Sequence, residues 1–180
     1  PSVDVLRALQ EVIADMQDVE LRLSPDESCY IINLTADEVE KVKAVLSDNA
    51  TTVFETSVSC IGASTCQVGL RDSQALLAAC IKAVKENDIA ADALPQMHVS
   101  GCPSSCGTHQ IGSMGFRGHI KMVDKKPVSA FQLFIGGNDY QGNETMGREA
   151  GIIAETDIPS FVVELGKTVT ASHLSFDAWV

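Results

Sequence analysis

The sequence predicts an α+β fold. Three observations carry that prediction: apolar residues at helical spacing in four separate segments, short β-rich runs between them, and a change near Thr56 from compact α+β patterning to cysteine-bearing loops.

Taken in order, Val5, Leu6, Leu9, Val12, Ile13 and Met16 form one apolar stripe on a helix over residues 3–17. Two short strands follow, Val19–Leu23 and Tyr30–Leu34, joined by a turn at Ser24, Pro25, Asp26 and Glu27, residue types that favour tight reversal. Thr35, with Glu38 three residues on, is a capping box that opens a second helix turning Val39, Val42, Val45 and Leu46 inward. Thr51–Ser57 reads as another strand. The loop SCIGASTCQVGLRD then carries Cys60 and Cys66, and a third helix over Ser73–Glu86 aligns Leu76, Leu77, Cys80, Ile81 and Val84. Met97–Val99 is a short strand leading into SGCPSSCGTHQIGSMGFRG, which holds Cys102 and Cys106. Phe116–Val123 and Val128–Ile135 form a hairpin around Asp124–Pro127. A Gly-rich loop, IGGNDYQGN, follows, and a last helix starts near Asp157 with Ile158, Phe161, Val162, Leu165 and Val169 inward.

At 180 residues the chain has room for one large domain or two small ones. Its net charge of -11 argues against nucleic acid, which needs a basic stripe, and favours a small ligand or a basic partner unless a local basic patch overrides the total. No apolar run approaches the roughly 20 residues of a membrane helix. The first residues are amphipathic and acidic, unlike an export signal, so a cytoplasmic chain is expected. Opening on Pro1 suggests a processed chain or a piece of a longer one. Six cysteines in that setting read as thiols or metal ligands rather than disulfides.

Cys60 and Cys66 are separated by five residues, and Cys102 and Cys106 by three, in two Gly/Ser-rich loops. Such backbone curls round an ion and points N–H groups at sulfur, so the four thiols suit a tetrahedral zinc or an iron–sulfur cube. Structural zinc takes ligands two to four residues apart, which leaves the first pair wide for a knuckle. Thiol redox chemistry and inert cysteines stay open on these grounds. Cys80, on an inward helical stripe, and Cys29, opening an apolar strand, read as small buried hydrophobes. His98 and His173 read as structural. His109 is able to donate to a sulfur of such a site, although a solvent-facing loop position is the commoner setting. For Arg117, a ligand carboxylate and an exposed strand face weigh equally.

The combination CIGASTC, GCPSSCGTHQIGSMGFRG and FQLFIGGN resembles the cluster-bearing C-terminal half of the sirohaem- and [4Fe-4S]-dependent sulfite and nitrite reductases. That family carries C-x5-C, then some three dozen residues, then G-C-P-x-x-C and an aliphatic-Gly-Gly segment. The resemblance implies a ferredoxin-like half-domain over 1–56 and a mixed α/β [4Fe-4S]/sirohaem-binding domain over 57–180. It implies that Cys60, Cys66, Cys102 and Cys106 ligate a [4Fe-4S] cluster, with Cys106 bridging to the sirohaem iron. Ser104, His109, Arg117, Gly136, Gly137 and Asn138 would contact the cofactors, the glycines by letting backbone approach a flat ring. Arg117, His119 and Lys121 are the candidate anion binders near the cluster loops.

The implied reaction is six-electron reduction of sulfite to sulfide or nitrite to ammonia, with no acid–base residue assigned in this chain. Its partners would be that anion, an electron-donor protein or flavoprotein, and the remaining half of the enzyme in the same or another chain. Nucleic acid and membrane are not expected. As an isolated fragment the chain is expected to be inactive. The other class of function is a non-catalytic iron–sulfur electron carrier or a zinc-stabilised binding module. Two positions depart from the family: Ser104 stands where members often carry Asn, and Ser24-Pro25-Asp26-Glu27 replaces a Thr-x-Arg-Gln turn with one holding two acids and no Arg.

Overall fold

A computed structural model describes residues 3–24, 28–46 and 50–180. Two compact units divide between Ala50 and Thr51, six residues before the sequence-expected boundary. The shift has a plain cause: Phe54, 1 % exposed, belongs to the core of the second unit.

The first unit consists of α1 (Val3–Ile13), β1 (Glu20–Leu23), β2 (Cys29–Ile32) and α2 (Ala36–Val45). β1 and β2 pair antiparallel with Glu20 opposite Ile32 and Leu23 opposite Cys29. The predicted turn residues Pro25, Asp26 and Glu27 lie outside the described residues. α1 stops at Ile13 instead of Gln17, and Asp18 takes a left-handed φ of 62° just before β1. α2 begins as expected, with the Thr35 amide and hydroxyl both on Glu38 Oε2 at 2.8 and 2.7 Å. Cys29 is exposed, not buried, because β2 stands in a two-stranded ribbon whose opening residues are uncovered.

The second unit is built on a five-stranded sheet in the order β3-β4-β5-β6-β7: β3 (Val58–Ser59), β4 (Met97–Ser100), β5 (Met114–Val123), β6 (Lys126–Ile135) and β7 (Arg148–Ala154). β3, β4 and β5 are mutually parallel, whereas β6 and β7 join antiparallel. The residues read as a strand at 51–57 instead make a single 3₁₀ turn, Phe54–Thr56. Local polar groups decide this: the Thr51 amide and hydroxyl donate to the Glu55 carboxylate at 3.1 and 3.0 Å, and Ser57 Oγ donates to the Phe54 carbonyl at 2.5 Å.

One face of the sheet carries the helices. α3 (Ser73–Lys85) starts at Asp72, whose side chain accepts from the Ala75 amide, and α4 (Ile158–Ser172) has a proline in its first turn and ends on His173 in a left-handed cap. Against them pack Met97 and Val99 of β4, Met114 and Phe116 of β5, and Phe131 and Leu133 of β6, with Leu76, Cys80, Ile158 and Val162 from the helices. A short α5 (Phe176–Trp179) seals a satellite cluster of Ala93, Val169 and Phe176. β5 and β6 turn at Asp124 and Lys125, both at positive φ, the backbone of a tight two-residue hairpin.

Candidate metal and cofactor site

The two cysteine loops lie side by side because β3 and β4 are parallel neighbours: Cys60 follows β3 directly, and Cys102 follows β4 by one residue. Gly101 is the junction. Its carbonyl accepts from the amides of Leu70 and Arg71 at 3.1 and 2.9 Å, and its own amide donates to Cys60 Sγ at 3.1 Å. The Cys60 amide in turn donates to the Val99 carbonyl at 3.0 Å. Nothing larger than glycine fits at Gly101, since a Cβ there would stand 2.5 Å from the Arg71 carbonyl oxygen. The turn holding Cys66 closes on Gly62, whose carbonyl accepts the Cys66 amide at 2.8 Å and whose φ of 73° suits glycine alone. Ser73, at the start of α3 and fully buried, donates to the Cys60 carbonyl at 2.8 Å and lies 3.1 Å from the Cys60 sulfur.

The second loop returns across the face of the sheet that the helices leave free. Ser105 and Thr108 take left-handed φ values of 65° and 50° and fold the chain after Cys106 back under itself. His98 Nδ1 meets Thr108 Oγ1 at 2.8 Å, and Ser100 Oγ accepts from the Gly107 amide at 3.1 Å. His109 is not at the surface: it is 1 % exposed, its ring stands 4.9 Å from that of Phe134, and Nδ1 is 3.2 Å from Ser105 Oγ, which itself bonds the Gln110 amide oxygen. Its Nε2 is the one buried side-chain polar atom without a partner among the described residues. Burial, reinforced by the Arg117 charge, pushes His109 down to about 4, so the ring is neutral near pH 7. His98 is lowered by burial in the same way. Arg117 is neither free nor fully exposed: it pairs with Glu149 at 3.5 Å and lies over the Phe134 ring at 5.2 Å. His119 is half-buried and Lys121 exposed, one strand register further out, and the Arg71 guanidinium donates to the His119 carbonyl at 3.0 Å.

The expected cofactor residues therefore fall into two places. Cys60, Cys66, Cys102 and Cys106 sit on the joined loops, with Ser104 exposed between the last two. Gly136, Gly137 and Asn138 instead line a cavity of about 500 Å³ with His98, Gly112, Ser113 and Phe176, at the entry end of β4. The 101–113 loop connects the two: the Gly136 amide donates to Ser113, and the Gly147 amide to Gln110 at 2.7 Å.

Free thiols are the donor type that iron–sulfur clusters and thiolate zinc sites take. None of the four cysteines is in a disulfide, Cys106 is exposed and Cys66 partly so, and one sulfur already receives a backbone N–H. Among the described residues no three Cys, His, Asp or Glu side chains converge on a single ion. Ser73, Gly62 and Gly101 escaped sequence reasoning. The apolar spacing marked a helix from Ser73, but nothing local said that Ser73 would face a cysteine 13 residues back.

The chain is similar in sequence to sulfite and nitrite reductases and in fold to a solved protein. By sequence the chain is a relative of those enzymes. It is 29% identical over 126 residues to a chloroplastic ferredoxin–nitrite reductase of Zea mays, a match covering 66% of this chain and 22% of that protein. It is 22% identical over 158 residues to the sulfite reductase [NADPH] hemoprotein beta-component of Bacillus subtilis, covering 82% of this chain and 26% of that one. The solved structure of the NirA protein of Mycobacterium tuberculosis shares the fold, with a TM-score of 0.74 at 18% identity over 89% of this chain and 31% of that chain. No family model matches the chain. The chain spans about a quarter of the length of the curated relatives it matches. Among the described residues no helix is long and apolar enough to cross a membrane.

Proposed function

We propose that this chain is the cluster- and haem-binding portion of a sulfite- or nitrite-reducing haemoprotein. The observation that supports the proposal is the joining of the two cysteine loops through Gly101, which sets both loops at the C-terminal end of the parallel strands β3 and β4. Cys60, Cys66, Cys102 and Cys106 would hold a [4Fe-4S] cluster, Cys106 would also reach the sirohaem iron, and the exposure of Cys106 supports its having the second task. When bound, these groups supply one-electron transfer and the multi-electron reduction of a small anion.

The chain's own residues have definable roles around them. The Gly101 amide places a partial positive charge on Cys60 Sγ, offsetting part of the negative charge that thiolates gather. The left-handed residues Ser105 and Thr108 hold Cys106 outward, and His109, neutral and pinned between Ser105 and Phe134, keeps that loop on the sheet. Arg117, whose charge is shared with Glu149, is a basic group beside the second loop able to meet a carboxylate or a substrate anion. Gly136, Gly137 and Asn138 would serve a flat ring only at the cavity they line. The acids Asp26 and Glu27 lie outside the described residues.

Because the chain covers about a quarter of its relatives, the rest of the anion pocket would come from the remainder of the enzyme, in the same or another chain, and an electron-donor protein or flavoprotein would supply the electrons. The test is a visible spectrum of protein purified without oxygen and supplied with sirohaem. The proposal expects a Soret band with a long-wavelength band, lost in Cys106→Ser. It also expects no substantial turnover of sulfite or nitrite by the isolated chain. A spectrum unchanged by the Cys106 substitution would remove the haem from this account.

A further inference from the structure

Ser73 has one hydroxyl proton and two acceptors within reach, both on the same residue: the Cys60 carbonyl oxygen at 2.8 Å and the Cys60 sulfur at 3.1 Å. It is fully buried, so no water competes for that proton. Its position is held from two sides. It opens α3 directly after the capping residue Asp72, and it is pressed against Gly62, where a Cβ would stand 2.9 Å from Ser73 Oγ and 2.8 Å from the Ser73 amide nitrogen. As described, the hydroxyl donates to the carbonyl and leaves a lone pair facing the sulfur, where a protonated thiol can donate to it. A sulfur that binds metal carries no proton and can only accept.

From this we infer that Ser73 tunes Cys60. With a metal on the sulfur, the hydroxyl would turn from the carbonyl to Sγ and become a second hydrogen-bond donor there, joining the Gly101 amide already in place at 3.1 Å. The inference rests on the reading of Cys60 as a cluster ligand and adds to it a positioning residue that sets potential. Each reduction step adds one negative charge to the cluster, so a donor aimed at a ligand sulfur stabilises the reduced form more than the oxidised form. Loss of the hydroxyl then lowers the potential. Neither the carbonyl bond nor α3 needs this: Asp72, not Ser73, caps the helix.

The experiment is a dithionite titration of the iron-loaded chain, wild type against Ser73→Ala and Ser73→Thr. Only the difference in hydrogen-bond strength between the two oxidation states counts, so Ser73→Ala is expected to lower the reduced-to-oxidised ratio by up to about tenfold and move the midpoint negative by up to about 59 mV. Ser73→Thr, which keeps the hydroxyl, restores it. A merely structural serine would change how much iron is retained while leaving the potential of the loaded fraction alone, and that result overturns the inference. If Ser73→Ala retains no iron, the same titration of Ser73→Gly decides instead: a midpoint equal to wild type overturns the inference. Absence of iron from wild type would sink the cluster reading, and the inference with it.

Discussion

Replacing Gly101 by alanine tests the junction on which the site depends. The added Cβ would lie 2.5 Å from the Arg71 carbonyl oxygen and 3.5 Å from Gly62 Cα. The first is a backbone atom that cannot swing away cheaply, so the two loops must separate. Three hydrogen bonds stand at that seam: Gly101 N–H to Cys60 Sγ, and the Leu70 and Arg71 amides to the Gly101 carbonyl. At a net worth of about 1 kcal/mol each, complete separation would cost about 3 kcal/mol, and partial relaxation about 2 kcal/mol. Gly136→Ala is the matched control. Gly136 has a φ of +77° but nothing within 4 Å of a Cβ, so only the backbone penalty of about 1 kcal/mol applies. Urea unfolding gives both values, and iron retained after anaerobic reconstitution and desalting reports on the site. Gly101→Ala should lose both stability and iron, whereas Gly136→Ala should lose a little stability and no iron. A Gly101→Ala protein within about 0.5 kcal/mol of wild type and fully iron-loaded would show that the seam does not hold the site.

Three further outcomes follow from the same geometry. In the metal-free native chain, iodoacetamide should label exposed Cys29 and Cys106 readily, whereas Cys80, with its thiol pushed up to about 12 by burial, should stay unmodified until unfolding, as peptide mass mapping would show. His109, near 6.5 when unfolded and about 4 when folded, binds a proton first in the unfolded state. Wild type should therefore lose stability relative to His109→Gln as pH falls from 6.5 towards 4, and hold level above 6.5; parallel curves would contradict its burial. Phe116→Ala removes a fully buried ring at the centre of the main core and should cost about 3–5 kcal/mol in denaturant unfolding.

How far the sequence could be read depended on whether the deciding contacts were local. The capping box at Thr35 and Glu38, the third and fourth helices, and the hairpin around Asp124–Pro127 all follow from residues within one turn of each other, and each is present, the hairpin with its turn tightened to Asp124 and Lys125 because Lys126 and Pro127 join β6. Thr51–Ser57 misled because β-branched residues there also carry hydroxyls, and these bond Glu55 and local carbonyls to curl the chain. β7 went unread because Glu149 and Gly151 interrupt its alternation, and its pairing with β6 crosses an irregularity at Leu133 and Phe134. The cysteine spacing named the candidate ligands, but the meeting of their two loops is a long-range fact made by parallel β3 and β4. His109 shows the same limit. A polar loop residue in sequence, it is buried because Ser105 and Thr108 reverse the backbone and lay it against Phe134, a residue 25 positions on.

The central claim is that the four loop cysteines hold an iron–sulfur cluster. Iron, zinc and sulfide analysis of the oxygen-free protein, with low-temperature EPR after dithionite reduction, addresses it most directly. The account predicts about four irons and four sulfides per chain and a reduced-cluster signal, lost when Cys60, Cys66, Cys102 or Cys106 is changed to serine and kept in Cys80→Ser. A colourless protein holding one zinc and no iron would contradict it.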